Sequence, residues 1–315
     1  MQKESAASVR YYHSSLNSYK KKGSSYNGLS FICTAVNNPI NLQHRIKKKK
    51  RIMKTIRKFF LYVLLLAVTG GCTILWLLYG SKTSNPHNYA TVGDIPVPWG
   101  YERIAGDDAA YSSYLRSLPL KGKGSKVQLF TGGESRFQSL SYAVVSLPLL
   151  SNEEQCADVC MRLRAEYLLN TGQYGKIHFK NVNGKTMSYD GGSSRKAFER
   201  YMRRVYGVAS TYSLSRELEQ RQLKDIQPGD VFVYAAADRP GNQKYGHAVM
   251  VVDVAQNKHG KKAFLLAEGN TPARDIHVMR NFKNPFRSPW FMLDEDADNL
   301  LLAVFHYKAN ELKHF

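Results

Sequence analysis

The chain has 315 residues, 43% of them hydrophobic and 22% charged, with a formal net charge of +20. Residues 1–58 hold 14 of the 45 Lys and Arg but only one of the 25 acids, so +13 of that charge lies in the first segment. Beyond it no dense basic stripe with interleaved aromatics occurs, which argues against a nucleic-acid-binding domain. Two of the four cysteines, Cys33 and Cys72, precede the folded part, which excludes a disulfide scaffold.

Residues 1–58 are polar, carry the runs Lys20–Lys22 and Lys47–Lys50, and lack hydrophobic periodicity. They are predicted to form a basic disordered tail. Met53 opens a signal-like stretch, MKTIRKFFLYVLLLAV, so translation beginning there is a second reading of the same segment. Residues 59–79, FFLYVLLLAVTGGCTILWLLY, carry no charge over a length that crosses a bilayer as a helix. Lys47–Arg51, Lys54, Arg57 and Lys58 flank that run on its N-terminal side. By the positive-inside rule they stay in the cytoplasm, so the C-terminal part is expected in the periplasm or outside the cell. Thr69-Gly70-Gly71-Cys72 loosely resembles a lipoprotein processing box with Cys72 as the lipidated residue. The apolar run continues to Tyr79, which favours an uncleaved single-pass anchor.

A polar linker is expected over 80–94 and one folded domain over 95–315, about 220 residues and enough for a sizeable core. Ala109–Leu118 reads as a short helix stopped by Pro119, and Lys126–Phe130 and Ser141–Leu147 read as strands. The next segment is SNEEQCADVCMRLRAEYLLN. Ser151 followed by Glu154 predicts a capping box and a helix start there. Cys156, Val159, Cys160, Leu163 and Tyr167 then form one core-facing stripe. In the simplest reading both cysteines are small buried hydrophobes. Yet Cys156 lies early in the helix, where the macrodipole favours a thiolate, although Glu153, Glu154 and Asp158 oppose it. A zinc site would need two more ligands, and no second Cys pair or close His pair supplies them. No metal or other cofactor is implied.

Further along, His178 is expected on a strand, and Tyr189–Gly192 forms a loop that can border a groove. Arg195–Tyr206 has helical spacing with Phe198, Tyr201, Met202 and Val205 inward, which leaves Arg200, Arg203 and Arg204 as a solvated face. Pro228-Gly229-Asp230 turns into a strand over Val231–Ala235. After a loop over Asp238–Tyr245, Gly246-His247 opens HAVMVVDV, apolar on both faces and therefore predicted to be central, with Asp253 ending near solvent. On the following strand, Lys262–Asn270, the residues Phe264, Leu266, Glu268 and Asn270 share a face. If the two strands pair antiparallel, Glu268 or Asn270 reaches the imidazole of His247. A nucleophilic thiol needs a base, a group that orients the base, and donors for an oxyanion. Cys156, His247 and one of Glu268 and Asn270 satisfy the first two needs. His277 and Arg274, which follow Pro272, can also line such a site.

The blocks QCADVCMRLRAEYL, IHFKNVNG, YGVASTYSL, GHAVMVVDV and LLAEGNTPARDIHV, in that order, resemble a bacterial family, domain of unknown function 4846, over most of residues 95–310. That family carries no established activity. The succession Pro-Gly-Asp, strand, Gly-His, strand, after a helix-borne cysteine, is also similar to the NlpC/P60 and CHAP groups of papain-like peptidases and amidases. Members of those groups commonly cleave amide bonds in bacterial peptidoglycan. The resemblance implies an α+β fold with a papain-like core, in which a helix bears the cysteine and an antiparallel sheet bears the histidine. It implies Cys156 as nucleophile, His247 as base, Glu268 or Asn270 as the orienting group, and Gln155 as an oxyanion donor. The Cys–His separation exceeds that of compact members, so 171–222 reads as an insertion. The expected function is that of a membrane-anchored envelope protein hydrolysing amide bonds in a peptidoglycan fragment or peptide. The alternative is a non-catalytic envelope protein whose groove binds a wall fragment, a peptide or a protein partner.

Overall fold

A computed structural model describes residues 39–79, 83–239, 241, 245–292, 299–301 and 305–315. The tail expected over residues 1–38, with Cys33, lies outside the described residues, as does part of the Asp238–Tyr245 loop. The chain divides into two units, with the boundary between Thr69 and Gly70.

The first element, α1 (Pro39–Tyr79), is a single helix of 41 residues. It contains a stretch long and apolar enough to cross a membrane, Gln43–Leu75, with mean hydropathy 1.9 in its best window. Residues 39–58, expected as disordered tail, are helical instead. Pro39 occupies the first helical position, which it tolerates because its missing N–H has no partner there. The Leu, Gln, Lys, Arg and Ile that follow are good or neutral helix formers, and neither Gly nor Pro interrupts them. Cys72 lies inside this helix, which continues for seven residues beyond it.

The globular part begins earlier than expected. Asn85 is fully buried, and its side chain accepts from Tyr89 N (2.8 Å) while donating to Tyr89 O (2.9 Å) and Lys121 O (3.0 Å). Val92 is also part of the core. The polar composition that suggested a linker conceals an anchoring asparagine that satisfies three backbone groups.

In chain order the elements are β1 (Tyr101–Arg103), α2 (Ala109–Ser117), β2 (Ser141–Val144), α3 (Cys156–Asn170), β3 (His178–Lys180), β4 (Thr186–Ser188), α4 (Arg195–Tyr206), α5 (Thr211–Glu217) and β5 (Glu219–Gln220). They continue with β6 (Val231–Tyr234), β7 (His247–Asn257), β8 (Lys262–Glu268), β9 (His277–Met279), β10 (Phe291–Met292), β11 (Asn299–Leu301), β12 (His306–Lys308) and β13 (Leu312–His314). Among the described residues nine strands form one antiparallel sheet in the order β2-β9-β8-β7-β6-β13-β5, with β1 added to β7 and β10 to β8. The fold is α+β.

The central strands are apolar on both faces because both faces are covered. Val233, Ala248, Met250, Leu265 and Ala267 join α3 and α4 in one core, while Phe232, Val249, Val251, Leu266 and Tyr307 form another. Gly269, just past β8, lets α3 approach closely. A Cβ there would lie 2.6 Å from Val159 Cγ2 and 3.5 Å from Gln155 O. Val159 is β-branched and stiff in a helix, so it cannot easily turn away. Gly269→Ala is expected to destabilise the protein by about 1–3 kcal/mol, with Val159→Ala restoring part of the loss. Chemical denaturation of the two variants and their combination checks this.

Three local expectations are corrected. Lys126–Phe130 forms only isolated bridges, Gln128 to Glu134 and Leu129 to Arg274. The Gln138 side chain takes both the N–H and the carbonyl of Val127 (2.9 and 2.8 Å), replacing a ladder partner. Asp253 is fully buried rather than near solvent, held at 2.7 Å by Arg103 Nε and at 2.7 Å by Arg116 Nε. β1 and α2 supply those arginines and cover this end of β7, a contact between segments far apart in the chain that no local pattern signals. The third correction concerns the start of α3, described below with the thiol it carries.

The segment 171–222 contains the β3–β4 hairpin with α4 and α5, and α4 buries Phe198, Tyr201, Met202 and Val205 as expected. His178 lies on β3 as expected.

A Cys–His–Glu constellation as candidate active site

The helix predicted from Ser151 starts at Cys156. Glu154 Oε2 accepts from Leu150 N (2.6 Å) and pairs with Arg162 (3.2 Å), while Ser151 Oγ accepts from Glu153 N (3.3 Å). Residues 151–154 thus form a separate turn whose acid is drawn into the core. Gln155 is the cap: its carbonyl accepts from Val159 N (3.0 Å), and Asp158 Oδ2 accepts from Gln155 N (3.0 Å). Cys156 is therefore the first helical residue, among amides that have no acceptor within the helix and beside the positive end of the dipole.

The acids around it do not cancel that effect. Burial, with Glu154 nearby, pushes Asp158 up to about 8 despite the bond from Gln155 N. Burial also raises Glu154, which Arg162 counteracts, and Glu153 is exposed to solvent. Asp158 is thus mainly neutral at pH 7. An acid whose folded pKa is raised binds more protons folded than unfolded, so its contribution to stability falls as pH rises from about 3.8 to about 8. Asp158→Asn should remove that loss. Its melting temperature should match wild type near pH 4 and exceed it at pH 8, as scanning calorimetry at the two pH values would read.

His247 is the first residue of β7, opposite Tyr234 on β6. In the β7–β8 register Met250 faces Ala267 and Val251 faces Leu266. Glu268 therefore falls on the same face as His247, one diagonal step along. His247 Nε2 lies 2.8 Å from Glu268 Oε2. Cys156 lies close enough to the His247 ring to raise its affinity for a proton. With Nε2 turned to the carboxylate, Nδ1 is the nitrogen left for the thiol. Glu268 is the residue that meets the imidazole. Asn270 lies beyond the end of β8 and its Oδ1 accepts from Thr271 N (2.8 Å). Gln155 Oε1 accepts from Thr271 Oγ1 (2.6 Å), which ties the cap of α3 to the loop after β8.

Electrostatics favour a protonated His247 beside an ionised Glu268. Burial lowers the His247 pKa, but Cys156 and Glu268 outweigh it and raise the ring to about 9. Burial acts to raise Glu268, while the hydrogen bonds from His247 and His277 bring it down to about 2. Cys156 keeps 8% of its surface exposed, whereas Cys160 keeps 1%. The Cys160 thiol donates to Cys156 O (3.5 Å), and burial holds its pKa well above normal. The two neighbouring thiols therefore differ in both access and chemistry.

Two further residues complete the surroundings. His277 Nε2 lies 3.4 Å from Glu268 Oε1, and its Nδ1 lies 3.0 Å from Asp275 O. Arg274 donates to Thr271 O (3.1 Å), Pro272 O (3.4 Å) and Ser135 Oγ (3.1 Å), so the side chain ties its own loop to the segment around Ser135. The sequence reading missed Phe305, whose ring stacks on His247 with centroids 3.6 Å apart and planes 19° apart. No periodicity or motif links Phe305 to a strand 58 positions earlier, so nothing short of the fold could have found it.

The molecule is thus an α+β protein in which a strand-borne histidine is hydrogen-bonded to a buried glutamate beside a helix-start cysteine. It belongs to the family defined as domain of unknown function 4846, whose model matches residues 92–193 and 188–314. No curated protein and no solved structure matches the chain.

Proposed function

We propose that this protein is a membrane-anchored cysteine hydrolase of amide bonds, built on a papain-like core. The observation that carries the reading is the chain Cys156–His247–Glu268, in which the carboxylate orients the ring that pairs with the thiol. The Cys156 thiolate attacks the amide carbon, forming a carbon–sulfur bond and placing the negative charge on oxygen. The Cys156 N–H and the Gln155 Nε2, which has no partner among the described residues, are the donors that meet it. Collapse breaks the carbon–nitrogen bond, and His247 gives its proton to the leaving amine. Water then attacks the thioester, His247 takes its proton, and the acid and thiol are released.

The apolar helix and its basic flank support an exported domain, and the resemblance to wall amidases supports a peptidoglycan fragment or peptide as substrate. The full chain in detergent micelles, incubated with purified peptidoglycan and with N-acylated peptides, should release new amino groups. Cys156→Ser and His247→Ala should each lose that release by about 10³-fold or more. Equal release from wild type and Cys156→Ser, or none from wild type on either substrate, would turn the reading to the non-catalytic alternative.

A further inference from the structure

A pocket lies beside α4, away from Cys156 in the chain. Tyr189 and Asp190, which follow β4, join Ala197, Arg200, Tyr201 and Arg204 around a pocket of about 260 Å³. The sequence assigned these arginines to a solvated face, but the structure divides them. Arg195 pairs with Glu166 (2.6 Å) and Glu199 (3.1 Å), and Arg203 pairs with Glu199 (3.7 Å) and donates to Leu150 O (3.0 Å). Arg200 and Arg204 have no acid partner among the described residues, and both line the pocket. They are four apart on a helix, where unpaired like charges repel. An anion between them converts that repulsion into two charge-assisted hydrogen bonds.

The pocket is also fixed in shape. The Tyr189 hydroxyl lies 2.9 Å from Gly192 O and 3.1 Å from Ser194 O and donates its one proton between them, and the Tyr201 hydroxyl donates to Met187 O (2.7 Å). Both hydroxyls are thus engaged by backbone carbonyls, which fixes the two rings. A Cβ on Gly191 would lie 2.6 Å from Ala197 Cβ, so only glycine lets the loop press this closely on α4. Asp190 supplies one carboxylate in the same cavity and has no cationic partner within salt-bridge distance among the described residues.

We infer that this pocket binds a zwitterionic amino acid or dipeptide, with its carboxylate on Arg200 and Arg204 and its ammonium on Asp190. Two cations and one anion around one cavity match that charge pattern, whereas a simple anion would leave Asp190 opposed. The inference stands whether or not Cys156 is a nucleophile.

The test is calorimetric titration of the full chain in detergent micelles with three probes. These are alanyl-alanine, its N-acetyl derivative and its C-terminal amide. Alanyl-alanine should bind, and removing either charge should weaken binding about tenfold or more. Arg200→Gln and Arg204→Gln should reduce affinity for alanyl-alanine by a similar factor, and Asp190→Asn should erase the preference over the N-acetyl form. All three side chains project from the surface of α4 and its loop, and circular dichroism verifies that each variant is folded. Absence of heat with alanyl-alanine, equal binding of all three probes, or variants that bind like wild type would each overturn the inference.

Discussion

Alkylation of Cys156 by iodoacetamide at pH 6 is expected to slow about tenfold when His247 is replaced by alanine. Without the imidazole the sulfur loses both a base and a neighbouring cation. With His247 raised to about 9, the ring is protonated at pH 6 and supplies that cation. A cation beside the sulfur makes the thiolate more abundant but a weaker nucleophile, and the two effects together leave about one order of magnitude. The pH profile is the sharper readout. The wild-type rate should carry an inflection near pH 9, where the His247 ring gives up its proton, and the His247→Ala profile should lack it. Glu268→Gln should give an intermediate profile, because the ring keeps a partner but loses the charge that holds its proton. Peptide mass spectrometry separates Cys156 from Cys33, Cys72 and Cys160 in the same full-length sample. A flat, slow wild-type profile indifferent to His247 would show that the two side chains do not act as a pair.

The same linkage makes a statement about folding. A histidine raised from about 6.5 to about 9 stabilises the folded state fully below the first value, and that stabilisation is lost as pH rises through the second. Glu268, lowered to about 2, contributes above its ordinary value and loses that contribution as pH falls through the depressed one. The constellation therefore adds most to stability at intermediate pH, where the paired form exists.

Much of this geometry was legible in the sequence because strand alternation is a strict rule. Placing Glu268 beside His247 needed only period-two spacing and one antiparallel pairing. The same rule left Asn270 open, since it shares the parity of Glu268. What decided between them is where β8 ends, and Asn270 closes a local bond to Thr271 N beyond that point. The start of α3 was misread for a different reason. Ser151 and Glu154 have the spacing of a capping box, but a buried arginine eight residues beyond Glu154 competes for the glutamate. Local capping rules carry no information about such a competitor. Covering of Asp253 by Arg103 and Arg116, and of His247 by Phe305, likewise depends on chain segments distant in sequence. The site was thus readable where its residues are neighbours on adjacent strands, and unreadable where distant segments close over it.

That competing arginine leads to the largest expected loss of stability. Arg162 is 1% exposed in the middle of α3. Its Nε lies 2.6 Å from Glu166, its Nη1 lies 3.2 Å from Glu154, and Glu166 in turn meets Arg195 at 2.6 Å. Replacing Arg162 with methionine preserves most of the stem's packing. It leaves Glu154 buried with only the Leu150 amide, and Glu166 with only Arg195. Breaking a buried pair from one side costs about 3–5 kcal/mol, because the remaining charge has neither water nor partner. In a domain of this size that corresponds to a melting temperature lower by about 10 °C. The sign of the pH dependence identifies the cause. Burial already raises the Glu154 pKa, and losing Arg162 raises it further. The folded variant then binds more protons than the unfolded chain above the ordinary glutamate range, so its deficit grows as pH rises and shrinks near pH 4. Adding Glu154→Gln to the variant removes the stranded charge and should recover a substantial part of the loss at pH 8 while changing little at pH 4. Because Glu154 fixes the turn that delivers Gln155 and Cys156 to the head of α3, the single variant should also lose the His247-dependent inflection in Cys156 alkylation at temperatures where it is still folded. A deficit independent of pH, or a double variant no better than the single, would show that Arg162 acts through packing alone.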